Sequence, residues 1–231
     1  MSRASTTTYG LLGLLAVRSW TGYELTQQLR RSLRFVWSSS EGHLYREQKR
    51  LVKLGWATVE REPAGNRKRN RYTITPEGRV ALRDWLATTP QEPHFEIEGA
   101  LRVFYGDQGS IEDLVASINA TAEAARSMLE EMLGFVDEYL EDGGPVWMLE
   151  HGVGGRDEER MEFHGRPMFP ERLHVVALVV DIVTRLLSDL EQSFESAASE
   201  VSRWPSATDD SLTAQTRRRL EAIRARNARQ S

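Results

Sequence analysis

Residues 38–75 constrain the fold of this chain more than any other segment. Three serines precede Glu41, and a serine before an acidic first turn is typical of a helix start. Gly55 follows about four turns later and suits the left-handed residue that ends many helices. The residues between them predict one helix with a single buried stripe, made of Leu44, Gln48, Leu51 and Leu54.

A β-hairpin is predicted directly after this helix. Residues 57–62 and 69–75 alternate between apolar and polar side chains, as strands with one buried face do. Pro63 to Lys68 has the composition of a turn. An isolated helix or hairpin is marginally stable in water, so the surrounding chain must hold both in place.

Charge is distributed unevenly along the chain. Residues 1–90 carry 16 Lys and Arg against 7 Asp and Glu, whereas residues 91–231 carry 14 against 27. A basic part joined to an acidic part favours a polyanion as partner of the first, although an unevenly charged solvated surface is the alternative. We expect the outer helix face and the hairpin to contact DNA through Ser39, Ser40, Gly42, His43, Tyr45, Arg46, Lys49, Lys53, Arg67, Lys68, Arg69 and Arg71.

Further helices are predicted on both sides of this segment. Residues 7–17 are apolar on more than one face, which favours a buried helix. Thr21 and Glu24 have the spacing of a capping box that starts a second helix. Thr75 and Pro76 start a fourth helix, which ends before Pro90. Three helices, a hairpin and a closing helix make a winged helix-turn-helix over residues 1–90.

This part of the chain resembles the PadR (phenolic acid decarboxylase regulator) family of bacterial transcriptional regulators. The resemblance covers about residues 5–90, and departs from the family at Gln48, where leucine is usual, and at residues 38–40, where prolines are common. It implies a regulator that binds operator DNA as a dimer. The matching segments are Tyr9 to Leu15, Gly22 to Leu25, Gly42 to Tyr45, Leu51, Leu54 to Trp56 and Arg71 to Gly78.

Residues 91–204 are predicted to form a helical dimerisation and effector domain. Apolar residues recur in alternating steps of four and three from Ile111, which is the repeat of paired, coiled-coil-like helices. A second long helix runs from about Phe169 to Arg203. The pairing could lie within one chain, between two chains, or both. The predicted dimer interface consists of Ile111, Val115, Ile118, Ala122, Ala125, Leu129, Met132, Val136, Val176, Val179, Val183, Leu186 and Leu190.

A small-molecule site is a further hypothesis for the segment between the long helices. PadR-like regulators respond to aromatic or drug-like compounds, and aromatic and methionine side chains gather there; the alternative is that they only cap the helical core. The candidate effector-binding residues are Trp147, Met161, Phe163 and Phe169.

Several other classes of function are disfavoured. The chain has no cysteine, and His151 and His164 lack the helical spacing of a metal-binding pair. No nucleophile-elbow glycines or phosphate loop frame the Ser, His and Asp residues. The longest apolar run, residues 175–180, is far shorter than the ~20 residues that span a bilayer. We therefore predict a cytoplasmic, non-enzymatic protein without a cofactor, metal or membrane partner.

Residues 205–231 form an Arg-rich tail, for which nonspecific DNA contact, packing on the acidic domain and disorder stay open. The fold class predicted for the whole chain is mainly α with a small β-hairpin. The predicted function is a homodimeric, sequence-specific transcriptional regulator, most simply a repressor, released by a small aromatic or drug-like effector. The alternatives are a winged-helix module that binds a protein partner and a drug-sensing protein without strong operator specificity.

Overall fold

The computed structural model describes residues 4–64, 67–153 and 162–228, and the backbone alone at Ala64, Arg67, Lys68 and Asn227. The chain divides into two compact units, Met1–His94 and Phe95–Ser231. Each unit has its own secondary structure, and the two are described separately. The first contains the predicted winged helix-turn-helix and the second contains the two predicted long helices, so the mainly helical fold class is confirmed.

The first unit contains four helices and a three-stranded antiparallel sheet. The helices begin at capping residues, and the predicted caps at Thr21, Ser40 and Thr75 are confirmed. Gly55 has φ +73°, as predicted for the left-handed residue that follows the helix before the hairpin. The elements are α1 (Thr6–Val17), β1 (Trp20–Thr21), α2 (Gly22–Ser32), α3 (Glu41–Lys53), β2 (Ala57–Ala64), β3 (Arg67–Ile74) and α4 (Pro76–Leu86).

The core of the first unit forms around α1. Leu11, Leu12 and Leu15 of α1 are inaccessible to solvent, together with the leucines of α2 and α3 that face them. Burial of these side chains is the main force that holds the three helices together. Tyr9 stacks on Trp85 with ring centroids 4.8 Å apart and so attaches α4 to the same core.

The sheet of the first unit has one strand more than the sequence predicts. Strand β3 lies in the middle, with the hairpin partner β2 on one side and β1 on the other. Trp20 of β1 pairs with Tyr72, and the Trp20 side chain is buried with its indole N–H donating to the Leu14 carbonyl at 2.9 Å. The hairpin is therefore attached to the helical core near the end of β3, at the two positions that pair with β1.

The second unit contains two long helices that run beside each other, with short elements between them. Ser110 caps the first long helix, since its side chain accepts the Asp113 amide. The Arg-rich tail includes a helix, which the sequence analysis did not predict. The elements are α5 (Glu98–Phe104), α6 (Ile111–Leu140), α7 (Pro145–Glu150), β4 (Glu162–Phe163), β5 (Arg166–Pro167), α8 (Leu173–Val201) and α9 (Thr213–Ala228).

The predicted heptad residues of α6 lie between α6 and α8 of the same chain. Ile118 packs there against Ala198 and Val201 of α8, and Ala125 is buried farther along α6. Arg126 of α6 donates to Glu191 of α8 at 2.7 Å and contacts Glu195 as well. The small side chains at the middle of the seam let the helices approach closely, and one chain is enough to bury most of this seam.

One face of α8 lies outside this helix pair. Val179 and Leu186, which are predicted to lie in the dimer interface, are 41% and 52% exposed in the single chain. They lie with Val175, Leu178 and Ile182 on one side of the helix, and all five side chains are exposed. We call this set the apolar face of α8. Within the chain Leu187 rather than Leu186 packs inward, which leaves the predicted interface residues Val179 and Leu186 available to a second chain.

The described residues also bear on the two classes of protein that the sequence disfavours, membrane-spanning proteins and metal-binding proteins. Within them, no helix is both long enough and apolar enough to cross a membrane. The same residues contain no group of three or more His, Asp or Glu side chains placed to hold a metal ion. Glu158 and Glu159, which lie between His151 and His164 in the sequence, are outside the described residues.

Candidate nucleic-acid interface

Helix α3 is attached to α2 by a polar contact inside the core. The Gln48 side chain is 1% exposed, and its amide donates to the Gly22 carbonyl at 2.9 Å and to the Thr26 hydroxyl at 2.8 Å. A Cβ added at Gly22 would lie 2.8 Å from the Gln48 Oε1 atom, so α2 can approach this closely only with glycine at position 22. A leucine at position 48 could not make these bonds, and glutamine therefore fixes α3 against the start of α2.

A second buried polar group ties α3 to α1. Glu47 is 6% exposed and accepts hydrogen bonds from the hydroxyls of Ser5 and Thr8. Burial alone would raise the pKa of the Glu47 carboxyl, but these donors and the charge of Arg50 outweigh it and hold the pKa below the usual glutamate range. Sequence reasoning missed this contact, although Ser5 and Thr8 have the spacing of the capping box that the structure contains.

The lowered pKa of Glu47 predicts a pH dependence of stability. A carboxyl whose folded-state pKa is depressed stabilises the fold above its unfolded pKa, and this contribution is lost as the pH falls through the folded-state pKa. We expect Glu47→Gln to reduce the free energy of unfolding by about 1–3 kcal/mol at neutral pH, because both hydroxyl donors lose a charged acceptor. The difference from wild type should shrink in acid.

Urea unfolding at neutral pH and at about pH 4 measures this difference. The exposed Glu92 offers a matched control, since Glu92→Gln makes the same chemical change at an exposed position of the same unit. A Glu47→Gln deficit that stayed constant across the pH range would contradict the assignment.

The outer face of α3 is opposite to these buried groups. Gly42, Tyr45, Arg46, Lys49 and Lys53 are all exposed and lie on one side of the helix, and we call them the recognition face. The buried stripe of Leu44, Glu47, Gln48 and Leu51 lies on the other side. Within the part of the chain that the structure describes, the charged groups of Arg46, Lys49 and Lys53 make no ion pair, so their charge is available to a partner.

The residues before α3 contribute less to this face. The Ser40 hydroxyl accepts the His43 amide as the helix cap, and its oxygen is therefore used locally. Ser39 and His43 are half-buried at the same end of the helix. The structure thus places these three predicted residues at the N-terminus of α3, where the helix dipole favours an anion.

The hairpin divides its cations between two environments. Arg71 is half-buried on β3, where its guanidinium donates to Glu62, lies 4.0 Å from Glu24 and also contacts the Ser19 carbonyl. Hydrogen bonding to Glu62 is the main cause that raises the pKa of Arg71. Arg71 therefore fixes the hairpin to α2 and is already neutralised within the unit. Arg69 is exposed, whereas the side chains of Arg67 and Lys68 lie outside the described residues.

The candidate effector residues lie in the second unit. Trp147 stacks on His151 with ring centroids 4.0 Å apart, and Phe163 packs against His164 at 4.2 Å. Phe169 is half-buried just before α8. Met161 lies outside the described residues. The described members are therefore partly exposed aromatic groups around the segment between the long helices.

Comparison with known sequences identifies the first unit. Residues 11–84 match the model of the transcriptional regulator PadR-like family. The negative transcriptional regulator PadR of Bacillus subtilis (strain 168) is 33% identical over 79 residues, which are 34% of this chain. The aligned part spans 43% of that relative's own length. These matches confirm the resemblance seen in the sequence.

Comparison with solved structures extends the similarity of fold to both units. The crystal structure of Bacillus subtilis PadR in complex with operator DNA superposes with a TM-score of 0.63 and 21% identity, covering 85% of this chain and 99% of the other. Bacillus subtilis PadR in complex with p-coumaric acid gives 0.58 and 20%, covering 88% and 99%. At such identities the structures show that the fold is shared.

Proposed function

We propose that this chain is a PadR-like transcriptional regulator that binds operator DNA as a homodimer and so controls transcription, a role that places it in the cytoplasm. The match of residues 11–84 to the PadR-like family supports this proposal. The observation that carries the proposal is the recognition face of α3. It presents exposed cations on a helix whose opposite side is fixed by Glu47 and Gln48. A rigid helix with an exposed cationic face has the shape and charge of an element that enters the major groove.

The recognition face combines the two kinds of contact that DNA binding requires. Lys49 and Lys53 are point charges suited to phosphates, and such contacts provide affinity without sequence preference. Arg46 and Tyr45 are long enough to reach base edges, and an arginine that reads guanine is among the commonest specific contacts. Ser39 and His43, at the start of α3, are suited to a phosphate at the helix N-terminus.

The hairpin supplies a second contact in this proposal. Arg69 is exposed near the tip of the wing, and Arg67 and Lys68 adjoin it in sequence. We place this basic tip at the neighbouring minor groove, where arginine is favoured when the groove is narrow. Arg71 acts indirectly, because its ion pairs with Glu62 and Glu24 hold the wing at a fixed angle to α2.

The apolar face of α8 supports the homodimer. Five large apolar side chains on one exposed helix face are costly in water, and a second copy of α8 would cover them. A helix-turn-helix dimer reads two half-sites about 34 Å apart or a multiple of that distance. The predicted interface residues of α6 would then act by holding α8 in place, while Val179 and Leu186 would contact the partner.

The effector part of the hypothesis concerns Trp147, Phe163 and Phe169. The structural similarity to Bacillus subtilis PadR in complex with p-coumaric acid supports it. In this proposal a small aromatic compound changes the pairing of the long helices, which alters the distance between the two recognition helices. Repression is the simplest outcome, since the related Bacillus subtilis protein is named a negative regulator.

Selection of bound sequences from random DNA with the purified full-length protein tests the proposal. We expect enrichment of a sequence with two-fold symmetry, because two identical subunits read identical half-sites. A winged-helix module that binds a protein partner would enrich no sequence. A drug-sensing protein without operator specificity would bind aromatic compounds but would likewise leave the library unselected.

A further inference from the structure

Helix α9 is a strongly cationic element with no evident structural task. It carries Arg217, Arg218, Arg219, Arg224 and Arg226 against one acidic residue, Glu221. Every side chain from Thr216 to Arg226 is exposed. Only Arg219 forms an ion pair within the described residues, with Glu200 of α8, and the other four guanidinium groups are uncompensated there.

The distribution of these arginines argues against a role for α9 in helix packing. At 100° per residue the five side chains spread over about 220° of the circumference of α9. The remaining sector holds Leu220 and Ile223, which are the only large apolar residues of the helix. A helix that pairs with another helix, or that lies on a membrane surface, needs a continuous apolar face on one side. Helix α9 has none, so a polyanion that neutralises charge is the partner that its chemistry fits.

The surroundings of α9 narrow the choice of polyanion. Residues 91–204 carry 24 Asp and Glu against 8 Arg, so acidic side chains are abundant in the same unit. The four uncompensated arginines nevertheless form no ion pair with those that the structure describes. If α9 served to pack on the acidic domain, its arginines would form more ion pairs with these acidic side chains. An external polyanion is therefore favoured over the acidic surface of this unit.

We propose that α9 is a second, sequence-independent contact to the phosphate backbone of double-stranded DNA. Arginines spread over most of the circumference of one short helix can contact phosphates without a fixed register, and each neutralised phosphate releases counterions. The contact also offsets repulsion between the acidic unit and DNA. The inference rests on the proposed function only in taking DNA as the partner, and it concerns affinity rather than sequence preference.

The test compares the full-length protein with a variant that carries Arg217→Gln, Arg218→Gln, Arg224→Gln and Arg226→Gln. Glutamine keeps the helix propensity of arginine but removes the charge, and Arg219 is left with Glu200. Binding to a labelled duplex without an operator is measured by fluorescence anisotropy over a range of salt concentrations. The log–log salt slope should fall by up to about 3.6 per chain, and affinity near 0.1 M salt by at least about tenfold.

Three further measurements make the result decisive. Lysine at the same four positions should keep the wild-type salt slope, because phosphate contact needs the charge. An unchanged slope in the glutamine variant, or loss of the slope in the lysine variant, would overturn the proposal. So would a shift from dimer to monomer in sedimentation with the slope unchanged, since the arginines would then serve a second copy of the chain. Selection from random DNA is independent of α9, and its failure would implicate the proposed function instead.

Discussion

Substitution of both Arg46 and Lys49 by alanine should abolish operator binding while leaving the dimer intact. Both side chains are exposed on the recognition face and make no ion pair within the described residues, so their removal leaves no buried charge. Loss of a base-reading arginine costs about 1–3 kcal/mol, and loss of a phosphate contact lowers the salt slope by about 0.9. In a symmetric dimer each loss occurs twice, and we expect operator affinity to fall on the order of 100-fold or more.

A gel shift with the selected operator measures this loss, and urea unfolding checks that the fold is unchanged. Arg83→Ala is the control, because Arg83 is an exposed cation of the same unit on α4, away from the recognition face. The control should bind the operator with an affinity within a few fold of wild type. Unaltered binding by the double variant would show that α3 is not the reading helix, whatever the family resemblance implies.

The elements of the first unit could be predicted because their signals are local. Thr21, Ser40 and Thr75 are caps within three residues of the amides they bond, and Gly55 marks the end of α3 by its own φ. Strand β1 could not be predicted in the same way. It has two residues and exists because Trp20 pairs with Tyr72, more than fifty positions away along the chain.

The exposed part of the candidate interface was predictable, whereas its support was not. Arg46 and Lys49 follow from the helical period and from charge. Glu47 lies on the buried side of α3 by the same helical period, but its charge suggests exposure. It is buried because the hydroxyls of Ser5 and Thr8, at the start of α1, donate to it. In the sequence Arg71 looks like one more cation of the wing that is available to DNA. In the structure it forms ion pairs with Glu62 and Glu24. The burial of Glu47 and the ion pairing of Arg71 both depend on partners that are distant in the sequence.

The second unit shows the limit of a periodic pattern. The heptad of α6 predicts a helix partner but does not say whose helix that is, and α8 of the same chain fills the role. Helix α8 is apolar on more than one side, so its inward register was ambiguous by one residue at Leu186 and Leu187. The apolar side that remains exposed is the part of the pattern that the proposed homodimer would cover.

The second large effect is therefore expected on the apolar face of α8. Leu178→Glu combined with Ile182→Glu should convert the dimer into a folded monomer. The two side chains are 65% and 56% exposed in one chain, so the charges meet water in the monomer and cost the isolated fold little. In the dimer they would be buried without a partner, which costs several kcal/mol for each charge.

Analytical ultracentrifugation measures the oligomeric state, and a gel shift measures the consequence for DNA. Operator affinity should fall on the order of 100-fold or more, because a monomer loses the effective concentration that brings its second half-site contact. Ala177→Glu is the matched control, since it places the same charge on the same helix at an exposed position on another side. The control should remain dimeric.

A double variant that still sedimented as a dimer would show that the interface does not lie on α8. A monomeric variant that kept its operator affinity would show that one chain is enough to bind the operator. Dimerisation would then not be required for operator binding.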